Sequence, residues 1–185
     1  MTAITYFRAQ AYNNAWSNYR LLTPCKKLSG DELAATRTGF FPSIIHTLNH
    51  ILTVDWLYVG ALEGRGVKYA DIEEIPCPAI ADLEREQRTV DRRLLALCDA
   101  LNDAQLAESI DIIRDDWVQT ERKDRTLLHL FQHQIHHRGQ VHAMLSGTGV
   151  APPQLDEFFM GHEREHALRT EDFAALDFDE EVIWR

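Results

Sequence analysis

Apolar residues recur along this chain at alternating three- and four-residue steps in four long blocks, the signature of amphipathic helices that share a core. The first block runs from about Ile4 to Leu22, with Tyr12, Ala15, Trp16, Tyr19 and Leu22 at helical spacing. Ser29, followed three residues on by Glu32, forms a capping-box signature that opens a short helical turn before Gly39. The second block follows Pro42, from about Ser43 to Leu62, and ends at Gly64 and Gly66. The third starts after Pro78 and carries the seam Ile80, Leu83, Gln87, Val90, Leu94, Leu97 and Leu101. The fourth is capped by Asp124, runs to about Ser146 and stops at Gly147 and Gly149.

Between Leu106 and Arg122 the period changes. Ser109-Ile110-Asp111-Ile112 and Trp117-Val118-Gln119-Thr120 flank a polar turn and predict a small hairpin. After Pro152 and Pro153, Leu155 to Met160 reads as a short fifth helix, and the remainder is acidic with no regular pattern. The expected architecture is all-α: an antiparallel four-helix bundle over residues 1–160, with a small hairpin. An acidic C-terminal tail, residues 161–185, is expected to pack on or extend from the bundle.

Composition narrows the function more than the fold. A chain of 185 residues with 45% apolar content suits one domain with a real core. The 29 acidic against 19 basic residues give a net charge of -10, the wrong sign for sequence-independent binding to nucleic acid or to an anionic membrane. Cys25, Cys77 and Cys98 form no CxxC pair, so neither a disulfide framework nor a thiolate metal site is indicated. No basic-then-apolar leader and no membrane-length apolar window is present, so the expectation is a cytoplasmic protein.

The candidate chemistry lies in the fourth block, LLHLFQHQIHHRGQVHAML, where His129, His133 and His137 recur at four-residue steps. Nitrogen donors at that spacing stand one above the other on a helix and can approach a single divalent metal from one side. On a wheel of about 100° per residue, Leu127, Leu130, Phe131, Val141 and Leu145 define the apolar arc. His133 and His137 lie at its margin, while His129 and His136 lie beyond it. A ligand inside a bundle must face the neighbouring helices, so His133 and His137 are the favoured pair. The third ligand is expected from FPSIIHTLNHILTVDWLY, where His50 sits among Ile51, Val54, Leu57, Tyr58 and Ala61, and His46 sits at the edge of the arc. An imidazole buried among apolar groups needs a partner for each nitrogen, and a metal supplies one. Asp55 falls in the same arc and should pair with a ligating His or with Arg138. Gln140 could hydrogen-bond a metal-bound water or a substrate, and Gly139 permits close approach of a helix or a ligand at about 1 kcal/mol of helix propensity. Tyr12, Trp16 and Cys98 read as core residues.

The runs FPSIIHTLNHILTVDWLY, HLFQHQIHHRGQVHAMLSGTG and AYNNAWSNYRLL, with their H-x3-H-R-G-Q motif, resemble the DinB/YfiT-like bundle proteins over most of residues 4–160. The resemblance implies a bundle that binds one divalent metal, usually zinc or nickel, through His50, His133 and His137. It also implies a homodimer. Some relatives are transferases or isomerases that use a low-molecular-weight thiol, and many have no assigned activity. The family name records induction by DNA damage and implies no polymerase.

Residues 162–166 read His-Glu-Arg-Glu-His, a formal HExxH that in zinc peptidases supplies two ligands and a general base. Charged Arg164 and Glu165 between the two histidines, in a polar tail, argue against that use. Three neutral ligands leave a coordination position open. The expected function is therefore a metal-dependent thiol transferase or hydrolase acting on a small molecule. A non-catalytic metal-binding stress-response protein is the alternative. A thiol enzyme should hold a pocket over the metal with Gln140 or Arg138 at its mouth, a mere binder should have that space filled, and a peptidase should use His162 and His166.

Overall fold

The computed structural model describes residues 2–67 and 73–184. Its frame is four long helices: α1 (Ala3–Cys25), α3 (Ile44–Leu62), α4 (Ile80–Ala100) and α5 (Lys123–Leu145). The short α2 (Gly30–Ala34) carries the expected capping box, with Ser29 Oγ accepting from the Glu32 N–H and the Glu32 carboxylate accepting from Ser29. Ser43 caps α3 in the same way by accepting from the His46 N–H. The expected cap of α5 moves. Arg122 occupies that position, and Asp124 lies inside the first turn, accepting from the Arg125 N–H and pairing with Arg122.

In the antiparallel bundle α1 packs on α4 and α5, and α3 packs on the same two helices, so α1 and α3 stand diagonally opposite. Every residue of α3 except Trp56 is buried, because α2, α4, α5 and the hairpin surround it. A helix covered on all sides is apolar all round, and any polar group on it must be satisfied from within the fold. The α4–α5 connection contains one tight turn at 105–107 and the predicted hairpin, β1 (Ser109–Ile113) and β2 (Val118–Arg122). The strands are antiparallel, pairing Ser109 with Arg122 and Ile113 with Val118. Ile112 turns inward, and the hairpin packs on α3.

The tail packs on the bundle. It forms α6 (Glu163–Leu176) and α7 (Glu180–Ile183), both against α1. Ala9, Tyr12 and Trp16 of α1 bury Phe159, Phe173 and Ile183 in a second small core, and the Trp16 indole N–H donates to Asp172. Arg169 is 1% exposed and ties Glu157, Glu180 and the Met160 carbonyl together. Residues 155–160, expected as a helix, are irregular. The Glu157 carbonyl accepts from Asn13, the Glu157 carboxylate accepts from the Met160 N–H, and Phe159 takes a left-handed φ of 55° to enter the small core. Tertiary packing outweighs helix propensity there.

Candidate metal centre

Packing of α3 against α5 brings His50 towards the histidine face of α5. One ring nitrogen from each of His50, His133 and His137 lies within 4.8 Å of the other two, and theirs is the one such converging cluster among the described residues. The Nε2 atoms of His50 and His133 are 3.0 Å apart. A tetrahedral zinc with Zn–N bonds of about 2.0–2.1 Å needs nitrogens about 3.3 Å apart, so the spacing suits one ion. The Nδ1–H of His137 donates to Gln140 Oε1 at 2.8 Å, which leaves Nε2 free, and Gln140 Nε2 donates onward to His136.

Burial sets the electrostatics. Desolvation, reinforced by the neighbouring His137 and His46, pushes His50 down to about 4, and desolvation with four surrounding histidines pushes His133 down to about 2. His137 is lowered for the same reason and partly restored by its bond to Gln140. All three are therefore neutral near pH 7, the form in which imidazole donates to a metal.

Three further histidines lie near this trio but outside it. His129 and His136 are exposed. His46 is buried, with its Nε2 3.5 Å from the Glu73 carboxylate and its ring against Phe41. Phe41 itself, 1% exposed, lies 4.4 Å from the His50 ring and 5.7 Å from that of His137. This aromatic cover has no counterpart in the sequence reading, because Phe41 stands in a loop without periodicity.

Behind the histidines lies a buried polar layer. Asp55 pairs with neither a ligating histidine nor Arg138, as had been expected. Its carboxyl accepts from the side-chain amides of Gln87 and Gln134. Arg138 points instead at α1, donating from Nη1 to the side-chain carbonyls of Asn14 and Asn18, and Asn18 donates to Asp91. Burial together with the nearby Asp91 raises Asp55 to about 8; burial raises Asp91 to about 6 and lowers Arg138 to about 10. Burial thus pushes both carboxyls towards their protonated forms beside the Arg138 guanidinium.

The H-E-x-x-H segment is spent on structure. His162 Nδ1 accepts from the Arg164 N–H at the start of α6, and His166 lies 2.8 Å from the Glu180 carboxylate. A cavity of about 640 Å³ lies between α1, α5 and residues 154–158, with Arg138 in its wall. It is on the far side of α5 from the three histidines, so neither Arg138 nor this cavity forms a mouth over them.

Comparison with known proteins agrees with this architecture. The chain is 28% identical over 133 residues, 70% of its own length and 80% of the relative's, to an uncharacterized protein, YizA, of Bacillus subtilis (strain 168). It also superposes on the crystal structure of a dinb-like protein from Bacillus cereus ATCC 10987, with a TM-score of 0.59 at 16% identity, over 75% of this chain and 90% of that one. The model of the DinB family matches residues 4–168, past the end of the bundle and into α6. The chain belongs to the DinB family.

Proposed function

We propose that the protein binds one divalent transition metal, zinc or nickel, through His50, His133 and His137, and uses it on a small molecule as a thiol transferase or hydrolase. The observation that carries this reading is the convergence of three neutral imidazoles from two packed helices. Nitrogen donors suit both metals. Three ligands leave a position where the ion would lower the pKa of a bound water or thiol. The chain's own contribution is to hold the three rings, with Gln140 fixing that of His137. The same reading makes the protein a cytoplasmic homodimer, which sedimentation at two concentrations checks.

Metal analysis of the purified protein is the direct test. His50→Ala should abolish stoichiometric zinc or nickel, while His162→Ala should leave it intact. The reverse result would revive the peptidase reading.

A non-catalytic metal-binding stress-response protein is the second reading, favoured by the packing of Phe41 on the His50 ring. Cobalt substitution separates the two. If the open position is accessible, roughly millimolar thiol should change the visible spectrum of the cobalt protein, as expected of a three-ligand site. An unchanged spectrum would rule out the thiol enzyme and leave the binder.

A further inference from the structure

Gly139 sits in the middle of α5, where glycine weakens a helix by about 1 kcal/mol relative to alanine, yet no close neighbour among the described residues requires it. A Cβ built there meets no atom within 4 Å. The position opens instead onto the cavity of about 640 Å³ between α1 and α5, a volume within the range of small-molecule sites. One neighbour in that wall is Arg138, which is 4% exposed. Its Nη1 is satisfied by Asn14 and Asn18, but no carboxylate lies in ion-pair contact with it among the described residues. The Nε–Nη2 edge, the fork that grips a carboxylate in two parallel bonds, has no acceptor among those residues. Ser17, also buried and also in the wall, has a hydroxyl without a partner there. Ile135, Leu155 and Phe158 supply the apolar part of the remaining wall, and its two carboxylates are Asp156, which is exposed, and Glu157, which is paired with Arg169.

We propose that this cavity is a second binding site, separate from the histidine centre, for a small organic acid. Its carboxylate would meet the free edge of Arg138 and the Ser17 hydroxyl, and its apolar body would lie along Ile135, Leu155 and Phe158. The carboxylate supplies the acceptors that the buried guanidinium lacks, and Gly139 leaves room for the body.

Octanoate serves as the probe, titrated calorimetrically into the full-length protein with 1-octanol as the uncharged control. The expected result is saturable binding of one octanoate per chain, with octanol at least about tenfold weaker, since charge-assisted bonds are roughly twice as strong as neutral ones. Gly139→Leu, which fills the cavity while improving helix propensity, should weaken octanoate at least about tenfold. His50→Ala should bind octanoate like the wild type, which keeps this result independent of the metal reading. The proposal is overturned if octanoate does not saturate by about 10 mM, a concentration weaker than any useful site. It is equally overturned if octanol binds as well, if Gly139→Leu changes nothing, or if His50→Ala abolishes binding and so moves the acid to the metal. A dimer that Gly139→Leu dissociates, with no octanoate bound to either form, would assign the groove to a second copy of the chain and also overturn it.

Discussion

Asp55 lies wholly inside the bundle with two glutamine amides as partners, and burial raises its carboxyl to about 8. In the unfolded chain the same group titrates near 3.8. The folded state therefore holds a proton that the unfolded state has lost, and the stability tied to this residue is full below about pH 4 and lost as pH rises through about 8. Asp55→Asn removes that dependence. In denaturant titrations at a series of pH values, the variant should gain on the wild type steadily from pH 4 to pH 8 and then run parallel. His50 has the opposite sense, since burial lowers it to about 4, and its contribution fades as pH falls below the ordinary imidazole value near 6.5. A constant offset between the Asn variant and the wild type would show that Asp55 is ionised throughout. At this scale the convergence of His50, His133 and His137 was legible from helical spacing, because two helices carried histidines on inward faces. The partners of Asp55 and Arg138 were not. A helical wheel gives a direction but not the tilt and depth of neighbouring helices, so Gln87, although placed in the α4 seam, gave no sign of its bond to Asp55. The missed signal was a polar pair four residues apart on three helices: Asn14 with Asn18, Gln87 with Asp91, and Gln134 with Arg138.

The elements whose legibility differed most are α5 and α6. The long helices and the hairpin were read within about a turn of their ends, because each buries a continuous apolar stripe or an alternating face. On α6 only Arg169 and Phe173 are buried, too few to set a period. Its docking depends on Phe159, Phe178 and Ile183 from segments with no periodicity, and on the Arg169 network. Arg169→Ala leaves the Glu157 carboxylate buried without its cation, which typically costs about 3–5 kcal/mol. Hydrogen exchange should then show α6 and α7 opening well before α3 and α5, with metal content unchanged. Equal acceleration in all four helices would mean that tail and bundle unfold as one unit. A family match that ends at residue 168, inside α6, fits a tail integrated with the bundle.

For the molecule as a whole, the net charge of -10 sets one firm expectation. Duplex DNA should show no change in anisotropy with this protein near physiological salt, because a binder must replace counterions with its own cations. Measurable binding would require a basic face that the overall charge conceals. No helix of the described residues is long and apolar enough to cross a membrane. The fold class followed from the sequence because four periodic blocks leave few ways to close a core. The surroundings of the three histidines did not follow, because they depend on a loop aromatic, Phe41, and on the relative depth of two helices.

The 3.0 Å approach of His50 Nε2 to His133 Nε2 has a consequence for how an ion would be held. Without metal the two rings must be unlike tautomers, one carrying its proton on Nε2 and the other on Nδ1. Both Nδ1 atoms are buried, and neither has a hydrogen-bond partner among the described residues. Binding an ion through both Nε2 atoms would require the shared proton to sit on an Nδ1 with no acceptor, a penalty of about 1–3 kcal/mol. Ligating histidines usually donate that proton to an oxygen, and losing such support weakens affinity about 10–100-fold. A metal held by these two rings would therefore bind less tightly than at a centre with supported Nδ1 groups, and would exchange more readily with the free ion around it.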